Sequence, residues 1–559
     1  MTVYQRDIPV SIPEISAFTH IFSQPIDDGR PAFIEASTNT AITRGELKGK
    51  ALRLGSAFLQ LSKLGRGPDL TEQDAVLLFS PNNLFYPVVT LASLASGVPV
   101  GCASAAAVPA ELAHMIVLTK ASFFIVHPTL FETFKAAMKL CGLPPAAYGK
   151  RVVFLSSKRS LSGESTVEDL IAASAPMNPV NFDGERSKKS NIYFFSSGTT
   201  GLPKAVEISH YNIVSTGRIW TSIDFHPLNE PGVFASPLPL YHIAGVILLT
   251  FYPLFCGYPS VVWATPYNVE SFVDGMQRYN ATAVLIVPPI ALSLIRHPSV
   301  VNARFPRLRR IVCGAAPISG PDLRNLHERF KPLVNHKDFL VGSLYGMTET
   351  SCAGSAGFDG SRYGKYESNG RLMPGLQARL VDGNGRDVPP GSAGELWLRG
   401  GVVMNGYLQN PKATNDILTS DGWLKTGDIA TIDEENFLSV IDRKKELIKY
   451  KGYQVPPAEL EAILLQHPAV ADAGVIGIVS PDRSTELPTA FVSLRDASLR
   501  ANRRLPLEIS EWFSPQVAHY KQLRGGLFVL DTVPRSPTGK VLRRQLREHA
   551  AAKATAPRL

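Results

Sequence analysis

The sequence predicts an α/β protein, with a large N-terminal domain of βα-layered sheets followed by a small α+β C-terminal domain. Three observations lead there. Apolar strand-like and helical stretches alternate from residue 75 onward. A charged cluster, Asp442-Arg443-Lys444-Lys445-Glu446, separates that long region from shorter elements. A chain of 559 residues also exceeds what one core holds and calls for about two to four domains or subdomains.

In chain order, Ala75–Phe79 reads as a strand, 84–96 as a helix, 98–102 as a strand, Pro109–Thr119 as a helix and 122–126 as a strand. That rhythm implies βαβ units and largely parallel sheets under helices. Residues 156–191 turn polar, with Ser, Gly, Pro and charges, and read as a surface connection. Residues 192–195 form a strand, 204–208 alternate like another, and a helix follows with Ser209 as its cap. Beyond the charged cluster, Pro456 or Pro457 suits the first turn of a helix through Glu459-Leu460-Glu461-Ala462. Val470–Val479, 489–494 and 526–530 read as strands. The resulting division is 1–441, a hinge at 442–445, and 446–559.

With 45% hydrophobic and 19% charged residues, the composition is that of a soluble globular protein. The net charge of +9 is scattered without a long basic run, which argues against nucleic acid and for small anions such as nucleotides. Cys102, Cys141, Cys256, Cys313 and Cys352 lie far apart with no Cys-x-x-Cys pair, against a disulfide framework or structural zinc and in favour of a reducing intracellular compartment. Arg6 and Asp7 precede any apolar stretch that would make a signal peptide. Two uncharged stretches, 75–110 and 231–269, have the length of membrane spans. Pro237, Pro239, Pro253, Gly257 and Pro259 break the second, so a buried helix and strands are expected there instead. Pro557-Arg558-Leu559 approximates the Ser-Lys-Leu peroxisomal address, and an Ala-rich frayed tail is the other reading. The expected location is therefore the peroxisome, otherwise the cytoplasm.

The run Ser196-Ser197-Gly198-Thr199-Thr200-Gly201-Leu202-Pro203-Lys204 has the composition of a phosphate cradle. Gly, Ser and Thr let the main chain turn tightly and aim several N–H groups at one anion, the hydroxyls add donors, and Lys204 adds positive charge. It lacks the Gly-Lys-Ser/Thr that opens a helix in a Walker A loop, since strands lie on both sides. The same composition also makes surface turns, so the neighbouring motifs decide.

Those motifs follow in order: Leu238-Pro239-Leu240-Tyr241-His242, Gly314-Ala315-Ala316-Pro317, Tyr345-Gly346-Met347-Thr348-Glu349, Gly422-Trp423-Leu424-Lys425-Thr426-Gly427-Asp428, the segment 442–452, and Pro534-Arg535-Ser536-Pro537-Thr538-Gly539-Lys540. Together with the loop they resemble the adenylate-forming superfamily of acyl-CoA synthetases, luciferases and peptide-synthetase adenylation domains, over nearly the whole chain. Glu446-Leu447-Ile448-Lys449-Tyr450-Lys451-Gly452-Tyr453-Gln454-Val455 most resembles the 4-coumarate–CoA ligase and luciferase branch.

The resemblance implies ATP, Mg²⁺ and coenzyme A as reactants, with no nucleic acid and no membrane insertion. It places Ser196, Ser197, Gly198, Thr199, Thr200, Gly201, Lys204, Gly314, Ala315 and Gly346 at ATP. Tyr345 would stack on adenine, Thr348 contact the α-phosphate, Asp428 accept from the ribose hydroxyls, and Arg443 contact ribose or phosphate. Thr200 and Glu349 would hold Mg²⁺, hard oxygen ligands being suited to that ion. Lys540 would bridge the carboxylate and ATP oxygens during adenylation, where two anions must meet. Lys445 falls at the hinge about which the small, mobile domain turns. Lys449 and Gln454 would then serve thioester formation, with Lys449, Lys451, Gly452 and Tyr453 beside the CoA arm.

His242, Ala244, Gly245, Gly314, Ala353 and Gly354 would border the acyl site. Small residues across 350–357 suggest volume, hence a bulky, mostly apolar acid: aromatic, medium-chain, or polyketide- or terpenoid-derived. Three alternatives share the motifs: loading of a carrier protein, luciferase-like oxidation, and a nucleotide-binding scaffold without catalysis.

Overall fold

The computed structural model describes residues 2–64, 75–155, 165–196, 203–223, 232–357, 364–451, 453–480, 485–537 and 539–555. It has a mixed α/β architecture with a large sheet-containing N-terminal part and a smaller C-terminal part. Two largely parallel sheets dominate the former. The first has seven strands, in spatial order Gly406–Tyr407, Lys204–Ser209, Ser190–Ser196, Val100–Ala103, Ala75–Phe79, Ala121–Val126 and Val152–Phe154. All five residues of Ala75–Phe79 are buried, as a central parallel strand covered on both faces must be. Helices Tyr86–Ser96 and Pro109–Thr119 supply the crossovers on either side of Val100–Ala103, so the alternation from residue 75 is that of βαβ units.

The second sheet has nine strands, with a parallel run through Leu340–Tyr345, Arg310–Cys313, Ala283–Ile286, Phe234–Ser236, Ser260–Val262 and Pro31–Glu35. The uncharged stretch 231–269 supplies two of these strands and the buried helical turns 243–256 between them. Among the described residues no helix is long and apolar enough to cross a membrane.

Two features depart from the sequence reading. Residues 156–191, expected as a surface connection, contain the helix Val167–Ala173 with Val167 and Ile171 buried. Thr166 and Asp169 cap it reciprocally: Asp169 N donates to Thr166 Oγ1 at 3.1 Å and Thr166 N to Asp169 Oδ2 at 2.9 Å. The chain also forms a wholly antiparallel third sheet, Tyr4–Gln5, Gln377–Val381, Gly394–Arg399, Leu424–Ile432 and Leu438–Arg443. Burial alternates strictly along Gly394–Arg399, a period of two rather than the continuous apolar run of a parallel strand. This sheet carries Asp428 and Arg443 as direct cross-strand partners.

One hydrophobic core runs through the large part as far as Leu438. A separate core gathers Ile448, Val455, Leu460, Val475, Val492 and Ile509. It is built on the helix Pro457–Leu464, with Pro in its first turn, and the strands Val470–Val479, Glu486–Leu494 and Leu527–Leu530. Of residues 442–445, the first two complete the strand Leu438–Arg443, and Lys444 and Lys445 follow it.

Candidate active site

Strands Ser190–Ser196 and Lys204–Ser209, which flank the expected phosphate loop, pair antiparallel with Ser196 opposite Lys204. Ser197, Gly198, Thr199, Thr200 and Gly201 lie outside the described residues; the two ends of the loop are inside. His114 Nε2 lies 3.0 Å from the carbonyl oxygen of Pro203 and fixes the exit. Ser209 caps the next helix as expected, accepting from Asn212 N at 3.1 Å, a cap of about 1 kcal/mol.

The ends of three strands bring the next group together. Cys313 and Ser343 are in parallel register, and Tyr345 opposes Ser355, which puts Gly314, Tyr345 and Gly354 side by side. Tyr345 Oη donates to Asp428 Oδ2 at 2.6 Å, and Arg443 Nε lies 3.4 Å from Asp428 Oδ1. Asp428 is 3% exposed; burial raises its carboxyl, opposed by Arg443, Tyr345 and Lys540. Thr426 Oγ1, absent from the sequence reading as a site residue, accepts from Asp428 N at 3.1 Å and donates to Leu396 O at 2.7 Å.

Thr348 opens a single tight turn in which Glu349 is buried. Ala315, one residue beyond Gly314, has φ of 69°, an unfavourable conformation for alanine.

Lys540 reaches this group from the C-terminal part. Burial and the nearby Arg443 lower its ammonium below the usual lysine range, while Glu349, Asp428 and Glu446 oppose them. Lys540 also acts on His242, which is pushed down to about 4 by burial and then by Lys540. His242 caps the helical turn Ile243–Val246, with Nδ1 accepting from Ala244 N at 3.4 Å, and is therefore neutral. Its segment is held by Asn82, which donates to Leu238 O and Trp263 O at 3.0 Å and accepts from Leu240 N at 2.7 Å.

Sequence reasoning also missed the residues that support Lys540. Arg535 pairs with Asp472 through Nε and Nη2 at 2.7 and 2.6 Å and donates to Gly539 O at 2.5 Å. Arg543 Nε binds Glu446 at 3.0 Å, and its Nη1 binds Glu461 and, at 2.6 Å, Val475 O. The Lys540 loop is thus braced at both roots. Its Thr538 lies outside the described residues.

The acyl segment corrects one inference. A Cβ on Gly245 would lie 2.3 Å from Pro239 O, and one on Gly354 would lie 2.8 Å from both the ring and the carbonyl of Tyr345. These glycines admit neighbouring main chain and ring; they do not leave ligand volume. A Cβ on Gly314 would likewise lie 3.2 Å from the Leu344 side chain. The surroundings are apolar all the same, with Ile243, Ala244, Cys313, Ala353 and Ala356 buried.

Lys449 and Gln454 are directly opposite on the hairpin Ile448–Tyr450/Tyr453–Val455, and both are exposed. Tyr453 stacks on Tyr520 with centroids 4.3 Å apart and planes at 11°. Lys451 lies on this hairpin with φ of 45°, its ammonium 5.7 Å from the Tyr450 ring centroid. Gly452 lies outside the described residues.

The fold thus gathers carboxylates and cations from both parts of the chain into one cluster. The AMP-binding enzyme family matches residues 26–408, and the AMP-binding enzyme C-terminal domain matches 459–540. Rice (Oryza sativa subsp. japonica) 4-coumarate–CoA ligase-like 4 is 34% identical over 98% of this chain and 95% of its own length. The peroxisomal OPC-8:0-CoA ligase 1 of Arabidopsis thaliana is 32% identical over 98% and 95%. Among solved structures, ATP-bound MatB from Rhodopseudomonas palustris superposes with a TM-score of 0.80 at 24% identity, covering 96% of this chain and 98% of that one, which shows the shared fold. The chain belongs to the AMP-binding enzyme family, among its 4-coumarate–CoA ligase-like members, and is an acid–thiol ligase.

Proposed function

We propose that this enzyme joins a bulky, mostly apolar carboxylic acid to coenzyme A in two steps through an acyl-adenylate. The observation that carries the proposal is Lys540, which stands in one electrostatic cluster with Asp428, Arg443 and Glu349 from the large part. In the first step a carboxylate oxygen attacks the α-phosphorus of ATP and the bond to pyrophosphate breaks. Lys540, Lys204 and Thr348 offset the charge of the two anions, and Asp428, with Tyr345 and Arg443 at its side, holds the ribose. Ser196, Gly314, Ala315 and Gly346 border the nucleotide along with the loop residues 197–201.

Glu349 and Thr200 would hold Mg²⁺. Glu349 fits that role, being a buried hard-oxygen donor that offers carboxylate oxygens among cations, and the ion would supply charge neutralisation at the phosphates.

In the second step the CoA sulfur attacks the acyl carbonyl and AMP departs. Lys449, Gln454, Lys451, Gly452 and Tyr453 serve this step on a face distinct from Lys540, so the segment 446–559 turns about 442–445, with Lys445 as pivot. His242 lines the acyl entrance. The acid's character rests on the apolar surroundings of Ala244 and Ala353 and on the names of the relatives, 4-coumarate–CoA ligase-like and OPC-8:0-CoA ligase. The relative's name also supports a peroxisomal location; a fluorescent fusion with and without residues 557–559, which lie outside the described residues, tests it.

A panel of aromatic, medium-chain and terpenoid-type acids with ATP, Mg²⁺ and CoA tests the reaction. The expected result is acid-dependent pyrophosphate release and a CoA-dependent thioester identified by mass. Pyrophosphate without thioester would mean another acceptor, and a marked preference for acetate would refute the acid class.

A further inference from the structure

Glu349 is 6% exposed and has two cations, Lys540 and Arg443, within electrostatic reach. A free carboxylate in that setting would swing toward one of them and close an ion pair. It has another partner instead: Tyr407 Oη donates to Glu349 Oε1 at 2.8 Å. Hydrogen bonds to a charged group are the stronger kind.

Tyr407 is itself firmly placed. Its strand, Gly406–Tyr407, pairs antiparallel with Lys204–Ser209, with Tyr407 opposite Val206. Tyr407 N donates to Thr414 Oγ1 at 2.9 Å, and Leu408 N donates to Ala205 O at 2.8 Å. The strand it borders begins at Lys204, whose ammonium lies 4.6 Å from the centroid of the Tyr407 ring. One side chain therefore holds, by its face, the lysine at the exit of the phosphate loop and, by its hydroxyl, the carboxylate of the Tyr345–Glu349 segment.

We propose that Tyr407 is a positioning residue for the metal–triphosphate site: its hydroxyl holds Glu349, which would otherwise turn toward Lys540 and Arg443, and its ring holds Lys204. This rests on the adenylation reading above. The hydroxyl and the ring have separable duties. The first governs the cation bound with ATP, the second the affinity for ATP itself.

The test uses the purified full chain and Mn²⁺ as a paramagnetic probe for binding in the presence of ATP, without acid. Tyr407→Phe keeps the ring and removes the hydroxyl. It should weaken Mn²⁺ binding to the ATP-loaded chain about tenfold, while thermal unfolding stays cooperative. In a Glu349→Gln background the same change should have no further effect on Mn²⁺. Tyr407→Leu should additionally weaken ATP binding measured without divalent cation. Wild-type Mn²⁺ affinity in Tyr407→Phe, full additivity with Glu349→Gln, or a wild-type chain that binds Mn²⁺ no better with ATP than without it would each overturn the proposal. If the Mn²⁺ effects appear but no acid yields pyrophosphate, the positioning role stands and the adenylation reading falls.

Discussion

Lys540 and Lys449 belong to the same small C-terminal part, yet they meet opposite surroundings. Lys540 is drawn in among Glu349, Asp428, Glu446, Arg443 and His242, and its loop is braced by Arg535 and Arg543. Lys449 stands exposed on a two-stranded hairpin, opposite Gln454 and beside the stacked pair Tyr453 and Tyr520. Both lysines belong to one C-terminal part, so on the proposed two-step reading a site that needs each in turn would exchange one for the other. The buried cluster is arranged for charge, which suits adenylation. The exposed hairpin presents aromatic faces and amines, which suits a ligand arriving from solvent.

The largest effect on that contrast should come from Arg543→Ala. Arg543 and Glu461 have side chains 10% and 12% exposed, and removing the guanidinium leaves buried carboxylates unpaired at a cost of about 3–5 kcal/mol. Denaturant unfolding should show this loss, with adenylation falling as the Lys540 loop loosens. Lys445→Pro should come next, leaving pyrophosphate release near wild type while thioester formation drops at least about tenfold, since proline fixes one backbone torsion of the pivot. An unaffected overall rate would remove the hinge. Asp428→Asn keeps shape but loses charge beside Arg443 and should weaken ATP binding by about tenfold in equilibrium titration.

The contrast also responds to pH. Burial lowers His20 and His242 to about 4 and His210 to about 3, from an ordinary 6.5. Each is held neutral in the fold, so its contribution is whole above pH 6.5 and lost as pH falls toward 4 and 3. Asp442 works against this. Burial raises it to about 6, so its cost is relieved as pH falls from 6 toward 3.8. Burial raises Asp428 and Glu207 in the same direction, but the three histidines outweigh these carboxyls, and the thermal midpoint should fall between pH 6.5 and 4. His210→Gln should flatten that fall, because His210 uses both ring nitrogens only when neutral, with Nδ1 accepting from Ala17 N and Nε2 facing Asn191 Oδ1.

What was legible in the sequence was local. Ala75–Phe79, Pro109–Thr119 and Val470–Val479 have the bounds their patterns predict, because a continuous apolar strand or a proline-opened helix is decided within a few residues. The helix Val167–Ala173 was equally local, announced by Thr166 and Asp169 three apart, but masked by polar surroundings. Tyr407, Asn82, Thr426 and Arg543 were not legible, because each acts through a partner at least 30 positions away, such as Glu349, Leu238, Leu396 and Glu461, 58, 156, 30 and 82 residues distant. Gly354 misled for a related reason. A small residue in sequence shows that something is close, and only the fold shows that it is main chain and the Tyr345 ring.

The two half-reactions of Lys540→Ala and Lys449→Ala, followed separately, test the central claim most directly. Lys540→Ala should lose about a hundredfold or more in pyrophosphate release yet convert supplied acyl-adenylate and CoA to thioester at near the wild-type rate. Lys449→Ala should show the reverse. Equal loss of both half-reactions in either variant would contradict the division of the small domain into two working faces.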